Sequence, residues 1–239
     1  ALRDFTLAWQ DAPKADAIAA QLPPGASRIL PAPPNSTNAT TLTLVGDKHD
    51  FDNRVFITPP QPRAVRLHFL GKEATRDEAS APLYYLARAL QPTATLAPQL
   101  TADEKLPAQS PDIVFAVGNA SADGLRDYLQ RGGFLVVAPT DASLLKALGF
   151  DLTITPDTSD DYRMLAEVKT EHPLLKPFAD PKLRDFTKLR FWKHRVIAGT
   201  GLETLASFDN GHPAILSARV GKGTLIVLAS GWHPARSGW

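Results

Sequence analysis

Apolar and polar positions follow two rhythms along this chain, and the change between them divides it. Up to Pro62, short apolar or β-branched runs at residues 5–9, 27–30, 41–45 and 54–58 are separated by proline clusters: Pro23-Pro24, Pro31 with Pro33-Pro34, and Pro59-Pro60 with Pro62. Proline lacks a backbone donor and restrains the residue before it, so these clusters mark joins between elements. Short strands with turn-rich joins predict a small all-β, sandwich-like module over residues 1–62.

Beyond Pro62 the period lengthens. Residues 64–70 read as a strand, and Leu83, Leu86, Ala87 and Leu90 fall at i, i+3, i+4, i+7 on one helical face that Pro92 ends. The apolar run 112–117 predicts a strand covered on both faces. Ser121 is placed to cap a helix that buries Leu125, Tyr128 and Leu129 and stops at Gly132-Gly133. A buried strand at 134–138 and a short helix at 141–148, closed by Gly149, complete the alternation. Strand and helix in turn predict an α/β domain over residues 63–239, with a mainly parallel sheet between two helical layers. Residues 151–188 read as an irregular excursion. Strands then follow at 189–197, 203–208, 213–218 and 224–229, with Val220-Gly221-Lys222-Gly223 as a tight hairpin connection, so the sheet is expected to close in an antiparallel meander.

Composition narrows the function classes. The 239 residues carry 26 Lys+Arg against 25 Asp+Glu, a formal charge of +1 that gives no footprint for nucleic acid. With no cysteine, disulfides, thiolate metal sites and cysteine nucleophiles are excluded. No apolar run is long enough to span a bilayer, and the start at Ala1 reads as that of a soluble piece of a longer chain. Two N-x-[ST] sequons begin at Asn35 and Asn38.

In open α/β sheets ligands bind beyond the carboxyl ends of the strands. Those ends here present Gly71-Lys72-Glu73, Gly118-Asn119 and Thr140-Asp141, so Asn119, Thr140 and Asp141 are the candidate ligand-binding residues. The competing reading is helix capping. Asp47, Asp50, Asp52 and Asn53 offer oxygen ligands but lack the register of a calcium loop, and a polar turn accounts for them. The six histidines, at positions 49, 68, 172, 194, 212 and 233, show no i, i+4 pair and read as structural or solvated. Arg190, Trp192, Lys193, His194 and Arg195 read as the exposed face of a strand. No catalytic residue, metal or cofactor is expected.

Two resemblances add to this reading. The pattern Leu125-x-x-Tyr128-Leu129-x-x-Gly132-Gly133, followed by Pro213 through Gly223 and an apolar strand, resembles the class I glutamine-amidotransferase-like, flavodoxin-like fold. The segment running through Asp47, Asp50, Asp52 and Phe56 is similar to one in Bat-type aerotolerance membrane proteins of bacteria, where an immunoglobulin-like module precedes such a domain. The resemblance implies a degenerate domain without the cysteine of true glutaminases. It also implies an extracytoplasmic binding or scaffolding region of an anchored chain, with partners among other envelope proteins or other parts of the parent chain, and without membrane insertion of its own. The rival reading is a carbohydrate-active hydrolase or sugar-binding domain with its site at the strand ends. The hydrolase would need Asp141 or Glu73 beside a histidine in one cleft, and the sugar-binding domain an aromatic wall.

Overall fold

The computed structural model describes residues 3–36, 38–46, 51–58, 61–183 and 185–232. The chain forms two compact units, Ala1–Gln61 and Pro62–Trp239.

In the first unit, strands β1 (Arg3–Trp9), β2 (Ile18–Leu22), β3 (Thr41–Val45) and β4 (Arg54–Phe56) form one antiparallel sheet in the order β2-β1-β3-β4. Trp9 and Ala20 are its buried apolar side chains, and the Trp9 indole donates to Pro33 O at 2.7 Å. The described residues thus make a single sheet where a sandwich was expected. The 27–30 run is not a strand, and Ile29 is fully exposed. Pro31 restrains Leu30, and Pro33 and Pro34 follow, so the run cannot be continued into a longer strand. Of the acidic stretch, Asp47 and Asp50 lie outside the described residues; Asn53 is buried and its carbonyl accepts from Leu44 N.

The second unit is a mixed α/β structure. Its strands are β5 (Arg63–Leu70), β6 (Leu96–Asp103), β7 (Ile113–Val117), β8 (Phe134–Ala138), β9 (Leu152–Pro156), β10 (Leu165–Val168), β11 (Arg195–Gly199), β12 (Glu203–Phe208), β13 (Pro213–Val220) and β14 (Gly223–Leu228). Its α-helices are α1 (Pro82–Ala89), α2 (Leu125–Gln130) and α3 (Ser143–Ala147). An eight-stranded sheet runs β10-β12-β13-β14-β8-β7-β5-β6. The five strands from β14 to β6 are parallel, and β13, β12 and β10 continue antiparallel. A separate antiparallel ribbon joins β9 to β11.

Side-chain alternation sorts the helices between the two faces. Val114 and Ala116 of β7 pack with Leu125, Leu129 and Leu145 from α2 and α3. Phe115 and Val117 point the other way, into a cluster with Leu83 and Leu86 of α1. The α1 stripe read from the sequence is the buried one. Ser121 does not cap α2: Gly124 occupies that position with φ 72°, and the Ser121 hydroxyl accepts from Asp123 N instead. β6 escapes the apolar pattern because it is an edge strand, where Pro98 is tolerated. Of the predicted 189–197 strand, β11 takes only the last part; Phe191 makes an isolated bridge with Arg163.

Candidate functional site

The chain leaving β5 enters α1 on one face of the sheet, whereas the chain leaving β7 enters α2 on the other. Opposite departures open a crevice at the carboxyl ends of these neighbouring strands. A cleft of about 800 Å³ lies there. Its floor is Val117 at the end of β7 with Gly118 after it, Ala138 at the end of β8 with Thr140 beyond, and Ala229 and Ser230 after β14. Ser80 and Pro82, at the entry to α1, form one side.

The opposite side comes from the β9–β11 ribbon. Its strands bring Asp157 next to the segment 193–195, because Asp157 N donates to His194 O. That segment is pinned along the exit of β14: Arg195 N donates to Ala229 O at 2.7 Å, and the Ser230 hydroxyl to Lys193 O at 2.9 Å. Lys193 and Arg195 therefore line the cleft. Trp232 closes it, held by its indole N–H to Pro82 O at 2.9 Å and by an edge contact with Phe115.

Among the sequence candidates, Thr140 lines the cleft and its hydroxyl donates to Asn119 Oδ1. Asn119 also bonds to Asp141, so the three form one cluster. Asp141 accepts from Ser143 N at 2.8 Å; hydrogen bonds from Ser143 are the main reason its carboxyl lies below the usual range. Asp141 thus closes an Asx turn one residue ahead of Ala142, the N-cap of α3, which has no side-chain cap, while the adjacent Thr140 lines the cleft. Glu73 is ion-paired with Arg76 and holds that guanidinium's pKa up. Neither Glu73 nor Asp141 carries the carboxylate–histidine pair.

That pair is Asp157 with His194, and the sequence reading missed both. His194 Nδ1 lies 3.4 Å from Asp157 Oδ2, and Arg163 Nε approaches the same oxygen at 4.0 Å. His194 is buried against Phe208, where the sequence reading had it on an exposed strand face. On its far side His194 Nε2 meets His212 Nδ1 at 3.2 Å. The Asn210 carboxamide is oriented by accepting from His212 N, so its Nδ2 donates to the same His212 Nδ1. His212 Nδ1 is then a bare acceptor, and His194 must donate to it through Nε2. A neutral His194 consequently presents a bare Nδ1 to the Asp157 carboxylate, while the imidazolium satisfies both contacts. Burial opposes the imidazolium and is the largest influence. It holds the pKa below 6.5 although Asp157 pulls upward, and the Arg163 charge adds to the lowering.

His68 is the second buried imidazole, fixed between Thr101 Oγ1 at 2.9 Å and Lys105 O at 3.0 Å. Burial again lowers its pKa below 6.5. For both rings the unfolded chain takes up a proton before the folded chain does. Their contribution to stability is therefore present above pH 6.5 and is lost as pH falls from 6.5 through the lowered folded values. Urea midpoints measured between pH 7.5 and 5 should fall toward acid, and His68→Gln with His194→Gln should flatten that fall. A wild-type midpoint unchanged over this range would contradict the assignment. His172 Nδ1 accepts from Leu174 N, two residues on, in a turn. His49 and His233 lie outside the described residues. Among the described residues no group of three His, Asp or Glu could hold a metal ion, and no helix is long and apolar enough to cross a membrane.

No family model and no curated protein matches this chain. Similar solved structures include a cold-adapted β-galactosidase from Rahnella sp. R3, 15% identical over 71% of this chain and 29% of that one, with TM-score 0.43. A cytoplasmic protein of Salmonella typhimurium LT2 is 12% identical over 72% of this chain and 89% of that one, with TM-score 0.48. A ThuA-like protein from Bacteroides uniformis is 14% identical over 74% of this chain and 84% of that one, with TM-score 0.43. This chain spans less than a third of the first glycosidases it resembles, 29% and 31% of their lengths. These findings correct the resemblance to amidotransferase-like domains of Bat-type aerotolerance proteins: no family model supports it, and the similar structures are of other kinds. The extracytoplasmic placement and envelope partners rested on that resemblance and are not carried further.

Proposed function

We propose that this chain is a carbohydrate-binding domain whose cleft takes a sugar, with preference for one bearing a carboxylate. The observation that carries this reading is the convergence, in one cleft at the strand ends, of hydroxyls, two cations and the Trp232 ring. Sugars present hydroxyls at their edges and C–H bonds on their faces, so such a site pairs hydrogen-bonding groups with an aromatic wall. Thr140 and Ser80 supply hydroxyls, and Lys193 and Arg195 supply positive charge. Asp157 is the only carboxylate of the described lining, and it already faces His194 and Arg163. Arg195 also acts on the Asp141 carboxylate beside the cleft, and two cations against one already engaged carboxylate in the lining favour an anionic sugar.

Binding is favoured over hydrolysis. Glycoside hydrolysis ordinarily uses two carboxylates across the scissile bond, and this lining holds one. The Asp157–His194 pair does share the cleft, but the His194 side chain is only 1% exposed and its Nε2 is occupied by His212. It orders the ribbon rather than exchanging protons with a ligand. The fold reading that accompanies this proposal is flavodoxin-like. It is supported by the order β6-β5-β7-β8-β14, which is 2-1-3-4-5 in chain order.

Calorimetric titration with D-glucuronate and D-glucose tests the proposal. Glucuronate should bind about tenfold tighter, and the difference should shrink at high salt, since exposed charge pairs are screened. Lys193→Ala with Arg195→Ala should remove the preference. Absence of binding by either sugar would overturn the reading.

A further inference from the structure

A second cavity, of about 350 Å³, lies beneath the excursion between β10 and β11. Strands β12, β13 and β14 form its floor through Phe208, Ala214, Ile215 and Leu228, and the excursion covers it with Phe178 and Phe186. Phe178 and Phe186 meet at a tilt with ring centroids 5.5 Å apart, and Phe191 packs edge-on against Phe208 at 5.2 Å. The lining is almost wholly apolar. Ser230, Gly231 and Trp232 line this cavity and the polar cleft alike, so the two spaces adjoin along one short segment.

This cavity is partly open to solvent, and the apolar side chains that face it lack packing partners on that side. An apolar cavity of roughly 150 Å³ already admits benzene, and this one is more than twice that size. Water gains little there, since it needs two to four polar partners. A fold that keeps such a space open beside a polar cleft suits a ligand with two unlike ends. We infer that the cavity receives an aliphatic or aryl group carried by the sugar in the cleft, so that the ligand is an amphiphilic glycoside. This inference rests on the carbohydrate reading of the cleft. The cavity supplies selection for the apolar end, and the segment 230–232 lies between the two parts.

The test is a series of alkyl β-D-glucuronides from methyl to decyl, titrated calorimetrically below their micelle concentrations, beside D-glucuronate and the n-alcohols alone. The expected result is a gain of about fourfold in affinity per added methylene, levelling once the cavity is full. Adsorption to a surface would give no such plateau. Ala214→Phe fills the cavity from its floor and should abolish the chain-length gain while leaving glucuronate affinity intact. Val168→Trp, on the edge strand β10, fills it from the side and serves if the first variant does not fold. Glucuronate binding with a flat alkyl series would overturn the inference and leave the cleft reading standing. Alcohols that bind with a plateau, without tightening the glucuronides, would overturn the shared ligand. A chain-length gain that survives both filling variants would overturn the assignment to this cavity. If glucuronate fails to bind at all, the cleft reading falls, and the shared ligand with it.

Discussion

Gly223→Ala lowers stability by about 3 kcal/mol. A methyl group at this position would stand 2.4 Å from Leu129 O and 2.6 Å from Gly133 O. Both are main-chain atoms, so the strain cannot be relieved by turning a side chain; α2 or the start of β8 must move. Gly223 is buried at the first position of β14, and Thr224 N next to it donates to Gly133 O, so any shift also disturbs the sheet. Gly211→Ala is the natural control. Its φ of +81° penalises a side chain, but nothing lies within 4 Å of the added atom, and the cost should be only about 1 kcal/mol. Urea denaturation of both variants beside wild type checks the difference. Equal losses would mean that the backbone contact at Gly223 relaxes freely.

On the proposed sugar site, Trp232→Ala should weaken glucuronate binding about thirtyfold, the loss of roughly 2 kcal/mol expected when a central aromatic anchor is truncated. The indole closes the cleft between Pro82 and Phe115, and no Phe, Tyr or second Trp is among the described lining residues. Trp232→Phe keeps an aromatic face but loses the hydrogen bond to Pro82 O, so it should retain most of the affinity. Calorimetry on both variants, with thermal unfolding to verify that each is folded, decides the point. A phenylalanine variant as weak as the alanine variant would show that the indole acts through its hydrogen bond rather than its face.

The parts of the fold written in local periodicity could be read directly. Leu83 and Leu86 announced the buried stripe of α1, and the 112–117 run announced a strand covered on both sides. Gly132-Gly133 marked the end of α2 as expected, where Gly132 takes φ 109°. Elements that bury few side chains gave no readable pattern. β6 carries Pro98, β9 and β10 are short and mostly polar or exposed, and β2 has only Ala20 buried. The same distinction runs through the site. Thr140 was reachable because the rule about strand ends needs only the strand. Asp157, Lys193 and Arg195 reach the cleft through a ribbon whose strands are far apart in sequence, and no local pattern reports that pairing. One signal was available for His194: a histidine within a basic and aromatic run, just before the apolar Val196 and Ile197, stands where a chain turns inward.

The most direct test of the cleft as a sugar site is an amide-resolved NMR titration of the isotope-labelled chain with D-glucuronate. Saturable shifts should be confined to Gly118, Thr140, Lys193, Arg195, Ser230 and their immediate neighbours. Shifts centred on residues 3–58, or none at sugar concentrations that saturate a millimolar site, would contradict the account.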